Sequence, residues 1–346
     1  MPLNKTQLQR ILDKSVSAKN IFGGVVSLQT RDEQWTAASG NLKPDSSYYI
    51  ASTSKLFVTT IIMQMRNAGQ INLEDPIAKF LPAEWMNQLH VYKGRDYSSE
   101  LTVHHLLSQT SGLADYFGQK TPNGKSLQDS ILTGKDQGWG IEEVVRWSKS
   151  IGAQFIPGQK RKALYSDTNF QLLGKIIEIV RAKALAEVYL SDIILPLQLT
   201  STYLYQDTKD TLPIDIYYKS SPLHIPLAMS SFKADGGIVS NAEENLVFIK
   251  AFFEGRLFPQ LYLKEMQNWN KIFFPLQYGV GLARFALPRI FSPFKKPPEL
   301  IGHSGLSGAF AFYSPQKDAY ISGTLNQIDK PQQSFRLILK LLDTLP

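Results

Sequence analysis

Residues 51–69 read ASTSKLFVTTIIMQMRNAG, and the organisation of the chain is read outward from them. Leu56, Phe57, Thr60, Ile61, Met63 and Met65 recur with helical period over residues 53–68, and Gly69 follows as a C-cap. The pattern predicts a helix with Ser52 at its N-terminus. Ser52-Thr53-Ser54-Lys55 is S-x-x-K, and a three-residue step on a helix stacks serine and lysine on one face within hydrogen-bonding reach. A serine hydroxyl is a poor nucleophile at its own pKa. A neutral lysine amine can take its proton, and the positive end of a helix favours the alkoxide as it forms. The same four letters also arise by chance on amphipathic helices whose lysine is solvated, so the surrounding sequence has to discriminate.

Upstream, residues 5–17 carry Leu8, Ile11 and Leu12 at helical spacing, and residues 21–29 and 34–38 read as strands across the polar turn Thr30-Arg31-Asp32-Glu33. Downstream, residues 103–108, 141–148 and 169–183 are the clearest helices, with turn-rich connectors such as Ile156-Pro157-Gly158. Strand signals return only after residue 270, at 279–285, 309–313 and 319–325, and residues 333–345 close the chain as an amphipathic helix. Strands at both ends with helices between predict a discontinuous α/β (α+β) domain, residues 1–50 and 225–346. A mostly helical domain, residues 51–224, is inserted in it and carries the S-x-x-K. The proline-rich stretch 287–300, with Phe291 and Phe294, reads as a long surface loop or as a rim beside a site.

Composition narrows the chemistry. The chain has 346 residues, more than one simple core usually holds, and 43% hydrophobic residues, enough to fold throughout. Lys and Arg exceed Asp and Glu by 37 to 30, but the excess is dispersed and has no aromatic-interleaved basic stripe, so no nucleic-acid partner is expected. There is no cysteine, which excludes disulfides and thiol chemistry. His90, His104, His105, His224 and His303 form no H-E-x-x-H and no ligand pair with carboxylates, so neither a metal nor another cofactor is expected. No apolar run approaches the ~20 residues of a membrane span, so no transmembrane segment is expected. The opening Met1-Pro2-Leu3-Asn4-Lys5 does not read as a signal peptide, leaving a cytoplasmic protein or a chain that starts after a removed leader.

Two other motifs fail. Five residues separate Gly118 from Gly124 where a phosphate-binding loop has four, and no strand signal precedes them. Gly302-His303-Ser304-Gly305-Leu306 approaches the elbow G-x-S-x-G but ends in leucine and feeds a strand, which leaves Ser304 as the runner-up nucleophile.

A second element stands at Tyr165-Ser166-Asp167, in a loop leading into the 169–183 helix. With Ser52-Thr53-Ser54-Lys55 before it and His303-Ser304-Gly305 after it, the chain resembles the serine β-lactamase and penicillin-binding protein superfamily. The likeness is closest to its branch of class C β-lactamases, D-peptidases and esterases, whose second motif is Y-x-N and whose third is K-T-G or H-x-G. The landmarks run from about residue 20 to the end and include 101–113, Pro196-Leu197, Asp235-Gly236-Gly237 and Tyr278-Gly279-Val280-Gly281.

The resemblance implies a β-lactamase/transpeptidase-like fold, an antiparallel sheet flanked by N- and C-terminal helices plus a helical lobe. It implies Ser52 as nucleophile, Lys55 and Tyr165 as proton-handling partners, and Asp167, His303, Ser304, Gly305 and Leu306 around the substrate. The backbone N–H groups of Ser52 and Leu306 would form the oxyanion hole, donors worth ~3 kcal/mol apiece in the transition state. An extracytoplasmic location is favoured on the same ground.

Two departures bear on function. Asp167 replaces the usual Asn and adds a carboxylate that would ion-pair Lys55; His303 replaces the lysine of most β-lactamases and removes a permanent cation that would grip a substrate carboxylate. Gln109 stands where the helical landmark often has His. The expectation is a serine hydrolase with a small-molecule or peptide acyl substrate, an esterase or D-peptidase. The alternatives are a β-lactamase and a catalytically weak scaffold of the same fold.

Overall fold

The computed structural model describes residues 2–287 and 297–345. Most of the proline-rich 287–300 stretch, with Phe291 and Phe294, lies outside the described residues. An eight-stranded, wholly antiparallel sheet runs in the order Asn270–Phe273, Leu276–Tyr278, Ala283–Phe285, Leu300–Ser304, Ala309–Ser314, Ala319–Thr324, Gly23–Gln29, Gln34–Gly40. The expected 21–29/34–38 hairpin is thus one edge of the sheet. The last strand pairs with the first, Val25 opposite Thr324, so the two ends of the chain close on each other.

Alternation along these strands sends side chains to two different cores. Val26, Leu28, Phe310 and Phe312 face the terminal helices Lys5–Val16 and Pro331–Asp343, meeting Leu8, Leu12, Leu337 and Leu341. Their neighbours Val25, Ala309 and Ala311 face the opposite way, toward Phe248, Ile249 and Phe252 of the helix Ala242–Phe253. Small residues on that face let the helix lie close.

The helix Lys55–Asn67 runs through the middle of the larger core, with Leu56, Phe57, Val58, Ile61, Ile62, Met63 and Met65 all inaccessible. A helix enclosed on every side needs apolar residues all round rather than a stripe. Gly69, at φ +69°, ends it as expected. Among the described residues no helix is long and apolar enough to cross a membrane.

The structure corrects the strand inventory. Tyr48–Tyr49, Ile238–Ser240 and Tyr203–Leu204 form a small sheet, and two hairpins pair Val91–Tyr92 with Arg95–Asp96 and Ile216–Tyr218 with Ser221–Leu223. All precede residue 270. Strands of two or three residues are too short to display a period of two. The expected 279–285 strand is divided: Leu276–Tyr278 and Ala283–Phe285 flank a turn in which Gly279 N–H donates to the Leu282 carbonyl.

Candidate active site

The strand Tyr48–Tyr49 runs into a 3-10 turn, Ala51–Ser54, which continues as the helix Lys55–Asn67. Ala51 is held at φ +46°, a left-handed conformation that non-glycine residues rarely adopt and that recurs at functional turns. The next residue is Ser52. One helical step later Lys55 reaches back, and its Nζ donates to Ser52 Oγ at 3.0 Å. Lys55 is completely buried. Its Nζ also donates to the Asp235 carbonyl at 2.6 Å and lies 2.7 Å from Asp167 Oδ1. Two hydrogen bonds and one ion pair engage Lys55 Nζ. The carboxylate that replaces the usual Asn therefore does pair with Lys55, while the rings of Tyr165 and Phe170 close over the ammonium at 5.2 and 5.5 Å.

Tyr165 lines the cavity together with Ser52. Desolvation, and then the charge on Asp167, push its phenol well above the ordinary value. Its loop is held from both sides by one residue: the Gln109 backbone carbonyl accepts Leu164 N–H, and Gln109 Oε1 accepts Ser166 N–H and Asn169 Nδ2–H. Gln109, noted in the sequence without a role, is what fixes the height of Tyr165.

Two carboxyl groups were missed. Asp115 Oδ1 accepts the N–H of Asp167, the first residue of the helix Asp167–Arg181, while its Oδ2 accepts Gly118 N–H. It serves as a cap supplied from elsewhere in the chain, since the N-cap Ser166 makes no side-chain cap bond. Burial, and then repulsion from Asp167, push Asp115 up to about 7 against the pull of its backbone donors. Asp235 is pushed well above the ordinary carboxyl value by the same two causes, with Lys55 opposing, and its Oδ2 accepts the Tyr116 hydroxyl at 2.8 Å. Its only sequence signal was the Asp235-Gly236-Gly237 landmark, which carried no role; Asp115 lies two residues past the end of the 101–113 landmark.

The third element is placed differently from expectation. His303 does not line the cavity at Ser52. Its ring is 3% exposed, with Nδ1–H donating to the Ser304 carbonyl at 2.8 Å and Nε2 facing the Tyr278 hydroxyl at 3.3 Å. Burial and the neighbouring Lys55 charge push it down to about 3, so it is a neutral packing residue behind Tyr165. Ser304 and Gly305 are also off the wall, whereas Leu306 is on it. Gly305 matters by closeness: a Cβ there would meet the Ile50 carbonyl oxygen at 2.7 Å and Ser52 N at 3.2 Å. The strand end can therefore approach the Ser52 turn only as glycine.

The cavity itself is about 500 Å³ and opens beside Ser52, Tyr165 and Asp167. Phe117, Ile131, Leu132, Met229, Phe232 and Phe273 supply much of its apolar wall. Elsewhere, Ser126 caps the helix Leu127–Leu132, so the rejected phosphate-loop stretch is an ordinary helix entry. Likewise, His105 Nδ1 accepts Thr102 N–H in a capping box at the helix Val103–Leu107.

The sequence matches the Beta-lactamase family over residues 8–342. The chain belongs to the beta-lactamase family. Within it, a D-stereospecific amidohydrolase from Streptomyces sp. superposes with a TM-score of 0.78 at 25% identity, over 96% of this chain and 98% of that one. The D-amino acid amidase from Ochrobactrum anthropi SV3 gives 0.79 at 24% identity, over 98% and 100%. EstCE1, a hydrolase with promiscuous acyltransferase activity, gives 0.76 at 20%, over 98% and 97%. The last two identities speak to the fold alone. Protein flp of Staphylococcus aureus (strain COL) is 28% identical over 163 residues, 47% of this chain and 29% of that protein; the chain therefore spans under a third of that relative's length. The fold is that of a serine hydrolase of the beta-lactamase family.

Proposed function

We propose that this chain hydrolyses ester or amide bonds through an acyl-enzyme on Ser52, as a carboxylesterase or D-peptidase. The observation that carries the reading is the set of groups gathered at one hydroxyl: Lys55 Nζ at 3.0 Å from Ser52 Oγ, with Tyr165 on the wall of the cavity that opens at the same serine. Ser52 Oγ attacks the carbonyl carbon to give a tetrahedral oxyanion, and its proton passes to the Tyr165 oxygen as the phenol's own proton moves on toward the leaving group. The bond to the leaving alcohol or amine then breaks as that group takes a proton from Tyr165. Water repeats the sequence on the acyl-enzyme. A phenol raised well above its usual range carries its proton at neutral pH, as a donor to a leaving group must. The backbone N–H groups of Ser52 and Leu306 are the oxyanion donors in this reading, supported by the close packing at Gly305.

Likeness to an amidohydrolase, an amidase and a hydrolase supports amide and ester substrates. β-Lactamase activity has less support, because no Lys, Arg or His among the described residues lines the cavity to hold a substrate carboxylate. The Lys55–Asp167 pair is the one observation on the side of a weak scaffold, since it engages the lysine that should act as base. A panel of p-nitrophenyl esters, a D-Ala-D-Ala peptide and nitrocefin, run on the parent and on Ser52→Ala, separates these readings. The ester or peptide should be turned over, and Ser52→Ala should abolish turnover. Failure of every substrate leaves the scaffold.

A further inference from the structure

We infer that Tyr116 is a positioning residue for Lys55: with its neighbour Asp115 it braces the two groups that grip the ammonium from the side away from Ser52, a role that rests on the assignment of Ser52 as nucleophile. Besides Ser52, Lys55 Nζ meets Asp167 Oδ1 at 2.7 Å and the Asp235 carbonyl at 2.6 Å. Asp167 opens the helix Asp167–Arg181, and Asp235 stands at the end of the helix Pro226–Gly236. Both are remote from Lys55 in the chain, so two helix ends have to be held in register with the S-x-x-K turn. The segment Ala114-Asp115-Tyr116 touches both. Asp115 Oδ1 accepts Asp167 N–H at 3.0 Å, and the Tyr116 hydroxyl donates to Asp235 Oδ2 at 2.8 Å.

The brace is itself fixed. The Ala114 carbonyl accepts the hydroxyls of Ser148, Ser166 and Thr168 at 3.2, 3.1 and 2.7 Å, and Tyr116 N–H donates to Thr168 Oγ1 at 3.1 Å. The buried Tyr116 ring lies parallel to Trp147 and edge-on to Trp139, with centroids 6.3 and 5.9 Å away. A ring so enclosed gives its hydroxyl one position. Asp235 needs such a hold. Lys233 breaks the helix two residues earlier, and the Asp235 carbonyl lies in the last turn, where carbonyls lack a partner within the helix and must find one outside. Upstream, Gln171 Nε2 donates to the carbonyls of Ser231 and Phe232; downstream, Ser54 Oγ accepts Ile238 N–H. Between these anchors the Tyr116 bond acts at Asp235 itself. Without it the carbonyl is free to shift, and Lys55 Nζ shifts with it, away from the 3.0 Å contact with Ser52 Oγ. Burial, and then the charge on Asp167, push the Asp235 carboxyl well above its ordinary value, toward the neutral form whose shape asparagine copies.

The test is the rate of Ser52 labelling by a fluorophosphonate, followed over a range of probe concentrations and mapped by mass spectrometry. It compares the parent with Tyr116→Phe, Asp235→Ala, Asp235→Asn and the double variant Tyr116→Phe/Asp235→Ala, each checked for fold by its Tm. Tyr116→Phe removes a single hydroxyl and carries the test should Asp235→Ala fail to fold. Tyr116→Phe and Asp235→Ala should each slow maximal labelling by about five- to tenfold, the scale of one hydrogen bond, while the concentration for half-maximal rate changes by less than about twofold. The double variant should be no slower than the slower single, because both remove the same bond. Asp235→Asn should recover most of the loss, since an amide oxygen accepts the same hydroxyl. Folded variants that label at the parent rate, losses that multiply in the double variant, or an asparagine as slow as the alanine would each overturn the inference and leave the nucleophile standing. A parent that does not label at Ser52 overturns both.

Discussion

Lys55 Nζ lies 2.7 Å from Asp167 Oδ1, a fully buried ammonium against a carboxylate at the cavity wall. After burial, the charge on the same carboxylate is what raises both Asp115 and Asp235.

Asp167→Asn should therefore change a group it does not itself titrate. Asp115, pushed up to about 7 partly by Asp167, should titrate lower in the variant, as read by carbon NMR of labelled aspartates. The linkage sign follows. A carboxyl raised from 3.8 binds its proton more tightly in the folded state, so Asp115 makes the protein lose stability as pH climbs from about 4 through 7. That slope should be shallower in Asp167→Asn. An unchanged Asp115 midpoint would mean the two carboxylates are not coupled.

His303 carries the opposite sign. Its folded value of about 3 lies below the ordinary 6.5, so the unfolded chain binds the extra proton and His303 costs stability as pH falls below about 6.5. Imidazole nitrogen shifts should report a neutral ring with the proton on Nδ1 at pH 5. On the sequence alone, His303→Lys would restore the cation expected to grip a substrate carboxylate. The buried position instead predicts a loss of several kcal/mol, because the substitution places a second ammonium near Lys55. A variant with the parent's Tm would show that the side chain reaches solvent.

Lys233, at φ 42° and ψ −108°, breaks the helix Pro226–Gly236 two residues before Asp235, whose carbonyl meets Lys55. That conformation is expensive for any residue with a Cβ. Lys233→Gly should raise stability by about 1 kcal/mol in denaturant unfolding. A destabilised variant would place the role of Lys233 in its side chain.

What could be read from the sequence was local. The Ser52–Lys55 contact is a three-residue step on one helix, and the outer strands and terminal helices are long enough to display their periods. The Lys55–Asp235 contact joins residues 180 apart, and nothing in either segment announces it before the chain folds. Gln109 was conspicuous only as a substitution; its role appears once residues 164, 166 and 169 are brought to it. His303 was expected on the cavity wall because the resemblance implied it, and the strand Leu300–Ser304 offered no correction: it is buried at four of its five positions, and a strand buried on both faces gives no phase to its alternation.

Tyr165→Phe removes one hydroxyl and leaves the ring against Lys55, Tyr278 and His303. The rate on a good ester should fall roughly a hundredfold or more, the size of a positioned acid or base, with the melting temperature nearly unchanged. Parent-like activity would make Tyr165 a packing residue.

The central claim is that Ser52 is the nucleophile, since Lys55 Nζ stands 3.0 Å from it and Tyr165 shares its cavity wall, while Ser304 is off that wall. The direct measurement is peptide mapping by mass spectrometry after treatment with a fluorophosphonate, on the parent, Ser52→Ala and Ser304→Ala. The account predicts an adduct on the peptide that holds Ser52, lost in Ser52→Ala and retained in Ser304→Ala. An adduct on Ser304, or none on a folded parent, would contradict it.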